Sequence, residues 1–171
     1  MDEFWVFGYG SLMWNPGFEF AERHVAVVHG YHRALCVRSW VHRGTRERPG
    51  LVLGLDRGGA CKGVAFRADG GIRDHVVDYL RARELVTHVY RERTINIRLM
   101  SGRKVEALTY VIDRNHHQYA GALHTDEAAG IVRGAIGKSG RNEDYVLATL
   151  AHMREIGIND HWMEDVARKI A

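Results

Sequence analysis

The spacing of apolar positions changes character twice along the chain. From Phe4 to Phe7 they form an unbroken run that stops at a glycine cluster, the pattern of a buried strand entering a turn. Val25 to Arg33 and Ala34 to Trp40 are rich in β-branched and aromatic residues and predict two further strands, with Gly30 marking a bulge or bend. Arg43 to Pro49 turns to Gly, Thr, Arg and Pro and reads as a loop. Leu51 to Leu55 and Cys61 to Arg67 then predict a hairpin across Asp56-Arg57-Gly58-Gly59.

At Gly70 the spacing becomes helical. Ile72, Val76, Val77 and Leu80 fall on one face, which predicts an amphipathic helix from Ile72 to about Glu84. Strict alternation follows: Ile95, Ile97 and Leu99 interleave with polar residues, and Val105, Ala107, Thr109 and Val111 do the same after a Ser101-Gly102 turn. That is a hairpin with one buried face. The last third is helical. One helix starts at Thr125 with Asp126 and Glu127 and stops at Gly137. A second is capped by Ser139 to Asp144 and runs to about Ile156, ending at Gly157, and Asn159-Asp160 opens a short third. Strands first and helices last give an α+β class, with a small mixed sheet, curled or closed, and helices against it.

Composition narrows the class. With 171 residues the expectation is one domain over residues 1–171, large enough to fold on one core without disulfide staples. Hydrophobic residues make up 46% and charged residues 26%, which excludes a disordered, collagenous or disulfide-rich scaffold. The net charge of +3 is not concentrated: the densest run, Arg43 to Arg48, holds three arginines and one glutamate and reads as a solvated loop, so no nucleic-acid partner is expected. Cys36 and Cys61 sit in apolar stretches without metal-like spacing and read as reduced core residues. No apolar run approaches the roughly 18 residues of a membrane span, and the acidic start does not resemble a signal peptide. The expectation is a cytoplasmic protein with a small-molecule substrate and no membrane partner.

Two segments carry candidate chemistry. In Val6 to Trp14 a strand ends in Gly8-Tyr9-Gly10-Ser11-Leu12-Met13. Successive amides there lose their sheet partners, and two glycines permit positive φ and close approach to a ligand. Such a run can hold a carboxylate or an oxyanion; it can equally be a glycine-rich turn of structural use. Neither a dinucleotide fingerprint nor a P-loop is completed. The second segment is the helix end at Glu84, the wrong end of the dipole for a carboxylate. It reads either as a surface partner of Arg81 or Arg83, or as a general base. In the second case Leu80, Leu85 and Val86 would desolvate it and raise its pKa while the arginines oppose the rise. Glu92 is a rival carboxylate. The eleven histidines lack ligand spacing, and no metal site is expected. Ser11 lies outside a G-x-S-x-G elbow and has no evident base. Tyr145, Thr149 and His152 form a semi-polar helix stripe from which Tyr145 can reach a substrate if that face lines a cleft.

Five segments in this order resemble the ChaC-like family of glutathione-specific γ-glutamylcyclotransferases: WVFGYGSLMW (Trp5 to Trp14), HRGT with RPG (His42 to Gly50), GVAF (Gly63 to Phe66), YLRARE (Tyr79 to Glu84) and SGRNEDY (Ser139 to Tyr145). The resemblance implies a small mixed β-barrel with flanking helices, a Tyr9-to-Leu12 loop holding a γ-glutamyl group, an essential acid/base glutamate matching Glu84, and no metal or organic cofactor. One departure stands out. Many eukaryotic relatives follow the glutamate with Gly-Gly-Tyr, whereas this chain reads Leu85-Val86-Thr87-His88-Val89-Tyr90, more like the bacterial branch. The implied reaction makes 5-oxoproline and Cys-Gly from glutathione by attack of its own α-amine on the γ-carbonyl. Around Arg38 to Thr45, the donors Arg38, Ser39, His42 and Arg43 suit a tripeptide carrying a second carboxylate. With Asn142 and Tyr145, Arg38 and Ser39 complete the candidate substrate contacts. Alternatives are the same ring closure on γ-glutamyl amino acids or γ-glutamylamines, and a non-catalytic binding module of the same fold.

Overall fold

Five of the six residues of β1 (Glu3–Gly8) are buried, so its apolar run faces protein on both sides, as the absence of polar alternation predicts. The computed structural model describes residues 3–171. After β1 come a 3-10 turn (Ser11–Met13), β2 (Glu22–Ser39), β3 (Gly50–Asp69), a second 3-10 turn (Gly70–Ile72) and α1 (Arg73–Glu84). The hairpin β4 (Tyr90–Leu99) and β5 (Lys104–Ile112) follows, then α2 (Thr125–Val132), the two-residue strands β6 (Ile136–Gly137) and β7 (Gly140–Arg141), α3 (Asn142–Ile156) and α4 (His161–Ile170). The chain divides into two compact units, one of residues through Arg33 together with Leu55–Asp113, the other of Ala34–Gly54 and Arg114–Ala171.

The first unit holds the closed barrel, in strand order β1-β3-β2-β4-β5. β1 runs antiparallel to β3, with Val6 opposite Phe66, and parallel to β5, with Trp5 opposite Ala107, so the sheet is mixed, as expected. The β4–β5 hairpin keeps its register from Tyr90 opposite Ile112 to Arg98 opposite Lys104. The helix α1 lays Val76 and Leu80 on Phe4, Val6, Leu12, Ala68, Leu108 and Tyr110. The helical spacing that marked Ile72 to Leu80 as amphipathic gives the stripe that closes this core.

Two expectations about strands need correction. Val25 to Arg33 and Ala34 to Trp40 do not form two strands: one strand, β2, runs to Ser39 and takes up Gly30 as a left-handed residue (φ +96°) without ending. The hairpin across Asp56–Gly59 does not form: β3 continues from Gly50 to Asp69 with Gly58 and Gly59 at φ +103° and +70° inside it. Such glycines read alike as a turn or as an irregularity within a paired strand. Here β2 is the neighbour, and His32 Nδ1 lies 2.9 Å from the Gly58 carbonyl oxygen.

In the second unit Val37 bridges to Tyr119, and α2, α3 and α4 bury apolar residues such as Val132, Leu150 and Met163. The expected stop of α2 at Gly137 is too late. Arg133 is already extended (ψ 118°), Gly134 is left-handed, and Gly137 pairs with Gly140 in the β6–β7 ribbon. The remaining helices begin and end close to where expected, although Arg141 stands at the N-cap of α3 without a side-chain capping bond. Gly157 ends α3 at φ +86° with its amide on Arg154 O, and Asp160 caps α4 by accepting from Met163 N at 3.0 Å. Cys36 and Cys61 are both buried and reduced. No helix among the described residues is long and apolar enough to cross a membrane.

Candidate active site

The exit of β1 is shaped by contacts that exclude a side chain. A Cβ on Gly8 would lie 2.9 Å from Leu12 Cβ, so the chain can fold back on itself at once only because Gly8 lacks one. Neither Gly8 nor Gly10 takes the positive φ expected of them; the need is for space, not for a left-handed backbone. The run of free amides is also shorter than expected. Met13 N donates to Gly10 O at 2.9 Å within the 3-10 turn, which leaves Gly10, Ser11 and Leu12 as the amides with no partner inside that turn. Leu12 and Met13 bury their side chains and anchor the turn from below, while Ser11 is exposed.

Arg33 holds this exit in place, and sequence reasoning passed over it. Its side chain is 6% exposed, with Nε donating to Tyr9 O at 2.6 Å and Nη2 to Lys62 O at 2.7 Å. Charge-assisted bonds of this kind fix the path of the main chain through Tyr9. The available signal was an arginine inside a strand otherwise predicted to be buried.

The last turn of α1 approaches the same exit. Arg83 donates from Nη1 to Asn15 O at 2.7 Å and to the Tyr79 hydroxyl at 3.1 Å, and from Nη2 to Ser11 Oγ at 2.8 Å. Beside it the Glu84 carboxylate is only 18% exposed and makes one ion pair among the described residues, to Arg83 Nε at 3.6 Å, beyond hydrogen-bond length. Burial pushes its pKa above the usual carboxylate range, and the Arg83 charge opposes the rise. Of the two readings open to Glu84, the pairing with Arg83 expected of a surface carboxylate is present, but the side chain is largely withdrawn from solvent. The other arginine of the turn, Arg81, faces Glu92 of β4, with Nε and Nη2 each 3.0 Å from a carboxylate oxygen. Glu92 also accepts from the buried Tyr110 hydroxyl at 2.9 Å, and its pKa is held down by Arg81.

In the second unit the candidate contacts are mostly committed to the main chain. Asn142 is fully buried, with Oδ1 accepting from Leu51 N at 2.7 Å and Nδ2 donating to Leu51 O at 2.8 Å, so it clamps β3 and presents neither amide atom to a ligand. That corrects its expected place among the substrate contacts. The Tyr145 hydroxyl accepts from Leu53 N at 3.1 Å, and the Arg43 guanidinium lies 5.5 Å from its ring centroid. Ser39 Oγ accepts from Arg43 N at 3.0 Å. Arg38 uses its backbone on Gln118, and its side chain is half-buried. Thus the HRGT and SGRNEDY segments knit together, with His42 Nδ1 2.8 Å from Ser139 Oγ and Ser139 N donating to His42 O. His116 and His117 stack on each other, 4.3 Å between ring centroids, and no three His, Cys, Asp or Glu side chains among the described residues come together as a metal site.

Known proteins share both the sequence and the fold. The family model for ChaC-like protein matches residues 4–171. The glutathione-specific γ-glutamylcyclotransferase of Escherichia coli (strain K12) is 34% identical over 162 residues, covering 95% of this chain and 70% of its own length. Glutathione-specific γ-glutamylcyclotransferase 1 of Danio rerio is 34% identical over 154 residues, covering 88% and 79%. The crystal structure of a yeast γ-glutamylcyclotransferase specific to glutathione superposes with a TM-score of 0.86 over 99% of this chain and 96% of that one; at 21% identity it shows the shared barrel and helices. The match from β1 to α4 places the chain in the ChaC-like family.

Proposed function

We propose that this protein is a glutathione-specific γ-glutamylcyclotransferase acting in the cytoplasm, with residues 1–171 as one catalytic domain and Glu84 as its acid/base. The observation that carries the assignment of the base is the Glu84 carboxylate itself: largely buried, raised in pKa, and fastened by its neighbour Arg83 to the exit of β1.

The chemistry suits one such group. The α-amine of a γ-glutamyl compound attacks its own γ-carbonyl, a C–N bond closes the five-membered lactam, and the bond to the cysteinyl nitrogen breaks. No water enters and no external nucleophile is needed, so the protein supplies positioning, which is worth roughly 7–11 kcal/mol in favourable cases. The amine is mostly protonated at neutral pH, its reference pKa being about 7.7–8.0, and must lose a proton, while the departing nitrogen must gain one. A carboxylate with an ordinary pKa near 4.3 is a weak shuttle at that pH, and desolvation improves the match. The amides of Gly10, Ser11 and Leu12 are suited to the substrate's α-carboxylate or to the oxyanion that develops at the γ-carbon.

Incubation with glutathione, γ-Glu-Ala and γ-Glu-ε-Lys, with 5-oxoproline followed by chromatography, tests this. Turnover of glutathione to 5-oxoproline and Cys-Gly, with little from the other two, is expected. Preference for either of the others would move the substrate class, and binding without turnover would make the protein a non-catalytic module.

A further inference from the structure

Two arginines precede Glu84 on α1, and both direct their hydrogen bonds elsewhere. Arg83 directs its terminal nitrogens to Ser11, Asn15 and Tyr79. Arg81 stands one helical turn before Glu84, the i, i+3 spacing at which an arginine and a glutamate on one helix normally meet. It turns instead across to β4, where both of its bonds to Glu92 measure 3.0 Å. Glu92 is held from the barrel side as well: the hydroxyl of Tyr110, a residue inside the barrel-to-α1 core, donates to it at 2.9 Å. The pair is too exposed, at 54% for Arg81 and 24% for Glu92, to add much stability. Its position next to the base gives it another use.

We infer that Glu92 is a positioning residue, an anionic anchor that draws Arg81 away from Glu84 and cancels its charge, so that the base keeps its affinity for a proton. The inference rests on Glu84 as the base. The charged and titratable groups around this region are Asp78, Arg81 and Arg83 of α1, Arg73 at its start, Glu92 of β4 and Tyr110 of β5. Arg81 holds Glu92 below the usual carboxylate range, and burial together with Glu92 raises the Tyr110 phenol, so anchor and donor keep their charge states while Glu84 titrates. Nothing in the pair would change over the working pH range.

The test compares wild type with Glu92→Gln, Arg81→Gln and the double variant, reading the acid limb of kcat/KM for glutathione against pH and, in parallel, the carbon NMR titration of Glu84. With Glu92→Gln the uncompensated Arg81 is expected to move the acid limb and the Glu84 titration down by about 1 pH unit. The double variant is expected to return both to the wild-type position, whereas Arg81→Gln, which leaves the Glu92 charge uncompensated, is expected to move neither of them down. An unmoved Glu84 titration in Glu92→Gln, or a shift that persists in the double variant, overturns the inference, and a fall in rate with an unmoved limb makes Glu92 merely structural. Glu84→Gln under the same conditions separates the two levels. If it is inactive while the Glu92→Gln limb stays fixed, only the anchoring role fails; if it keeps the wild-type rate, the base assignment fails and takes the anchor with it.

Discussion

Arg83 Nη2 donates to Ser11 Oγ across 2.8 Å and so fastens the last turn of α1 to the first residue of the 3-10 turn after β1. Seventy-two positions of sequence separate the two residues. The bond ties the amides that can hold an anionic group to the helix end that carries Glu84, while the same guanidinium keeps its Nε 3.6 Å from the Glu84 carboxylate.

Removing the fastener has two effects of different kind. In Arg83→Met the β1 exit turn loses its tie to α1, and misplacement of a bound substrate by about 1 Å costs on the order of 10²-fold in kcat/KM. The same change deletes the positive charge that lowers the Glu84 pKa, so the acid limb of the rate profile moves to higher pH, opposite in sign to the shift expected for Glu92→Gln. Rate profiles of the two variants between pH 5 and 9 check both signs together.

Glu84→Gln removes the proton shuttle while keeping the shape of the side chain, and turnover is expected to fall by about 10²–10⁴-fold. The variant also reports on linkage. Burial raises the folded-state pKa above the unfolded value near 4.3, so the folded protein binds a proton here more readily than the unfolded chain. The stabilisation from this group is therefore present below about pH 4.3 and lost as pH rises through the folded pKa. Thermal melts are expected to show Glu84→Gln at least as stable as wild type at pH 7.5, with any advantage vanishing toward pH 4. A variant markedly less stable at pH 7.5 would mean that the ionised carboxylate holds the fold together.

Much of this arrangement is legible in the sequence where local rules decide the outcome. The stripe of Val76 and Leu80, the alternation through Ile95, Ile97 and Leu99, and the stop at Gly157 each follow from one period or one cap, and each appears where expected. Gly58 and Gly59 mislead because left-handed residues serve a turn and an irregular strand equally well, and only the presence of β2 alongside decides between them. Arg33 and Tyr110 go unnoticed for a related reason: what they do depends on carbonyl and carboxylate partners at least 18 positions away. For Asn142 the segment is recognisable but the role is not, since an asparagine in a loop-to-helix junction looks the same whether it faces a ligand or clamps a strand.

That clamp makes a sharp prediction. Asn142→Ala leaves Leu51 N and Leu51 O buried without partners, and each orphaned group costs about 1–3 kcal/mol. Denaturant unfolding is expected to show a loss of that order for each group, whereas KM for glutathione measured well below the melting temperature stays near wild type. A large rise in KM with unchanged stability would return Asn142 to the list of substrate contacts.

At the other end of the second unit, Asp165 of α4 joins two helices and sets a pH window far from that of Glu84. Its carboxylate accepts from Thr125 Oγ1 at the start of α2 and pairs with Arg168 and with Lys169, whose Nζ also reaches Thr125 Oγ1 at 2.8 Å and Asp126 at 2.7 Å. These bonds, Thr125 first, hold the Asp165 pKa well below the usual aspartate range. Because the folded pKa is depressed, the stabilisation is present above the unfolded value near 3.9 and is lost as pH falls through the folded pKa. The α2–α4 contact therefore stays intact through mild acid and weakens only below about pH 4. Asp165→Asn cannot pair with Lys169 or Arg168 at any pH. Hydrogen exchange at the Val166 to Ile170 amides is expected to be faster in the variant at pH 7, and the difference is expected to narrow as pH falls below about 4 and to close only once it passes the depressed pKa of the folded wild-type carboxyl. Equal protection at pH 7 would show that the apolar contacts of Met163, Val166 and Ile170 hold α4 in place without the charge network.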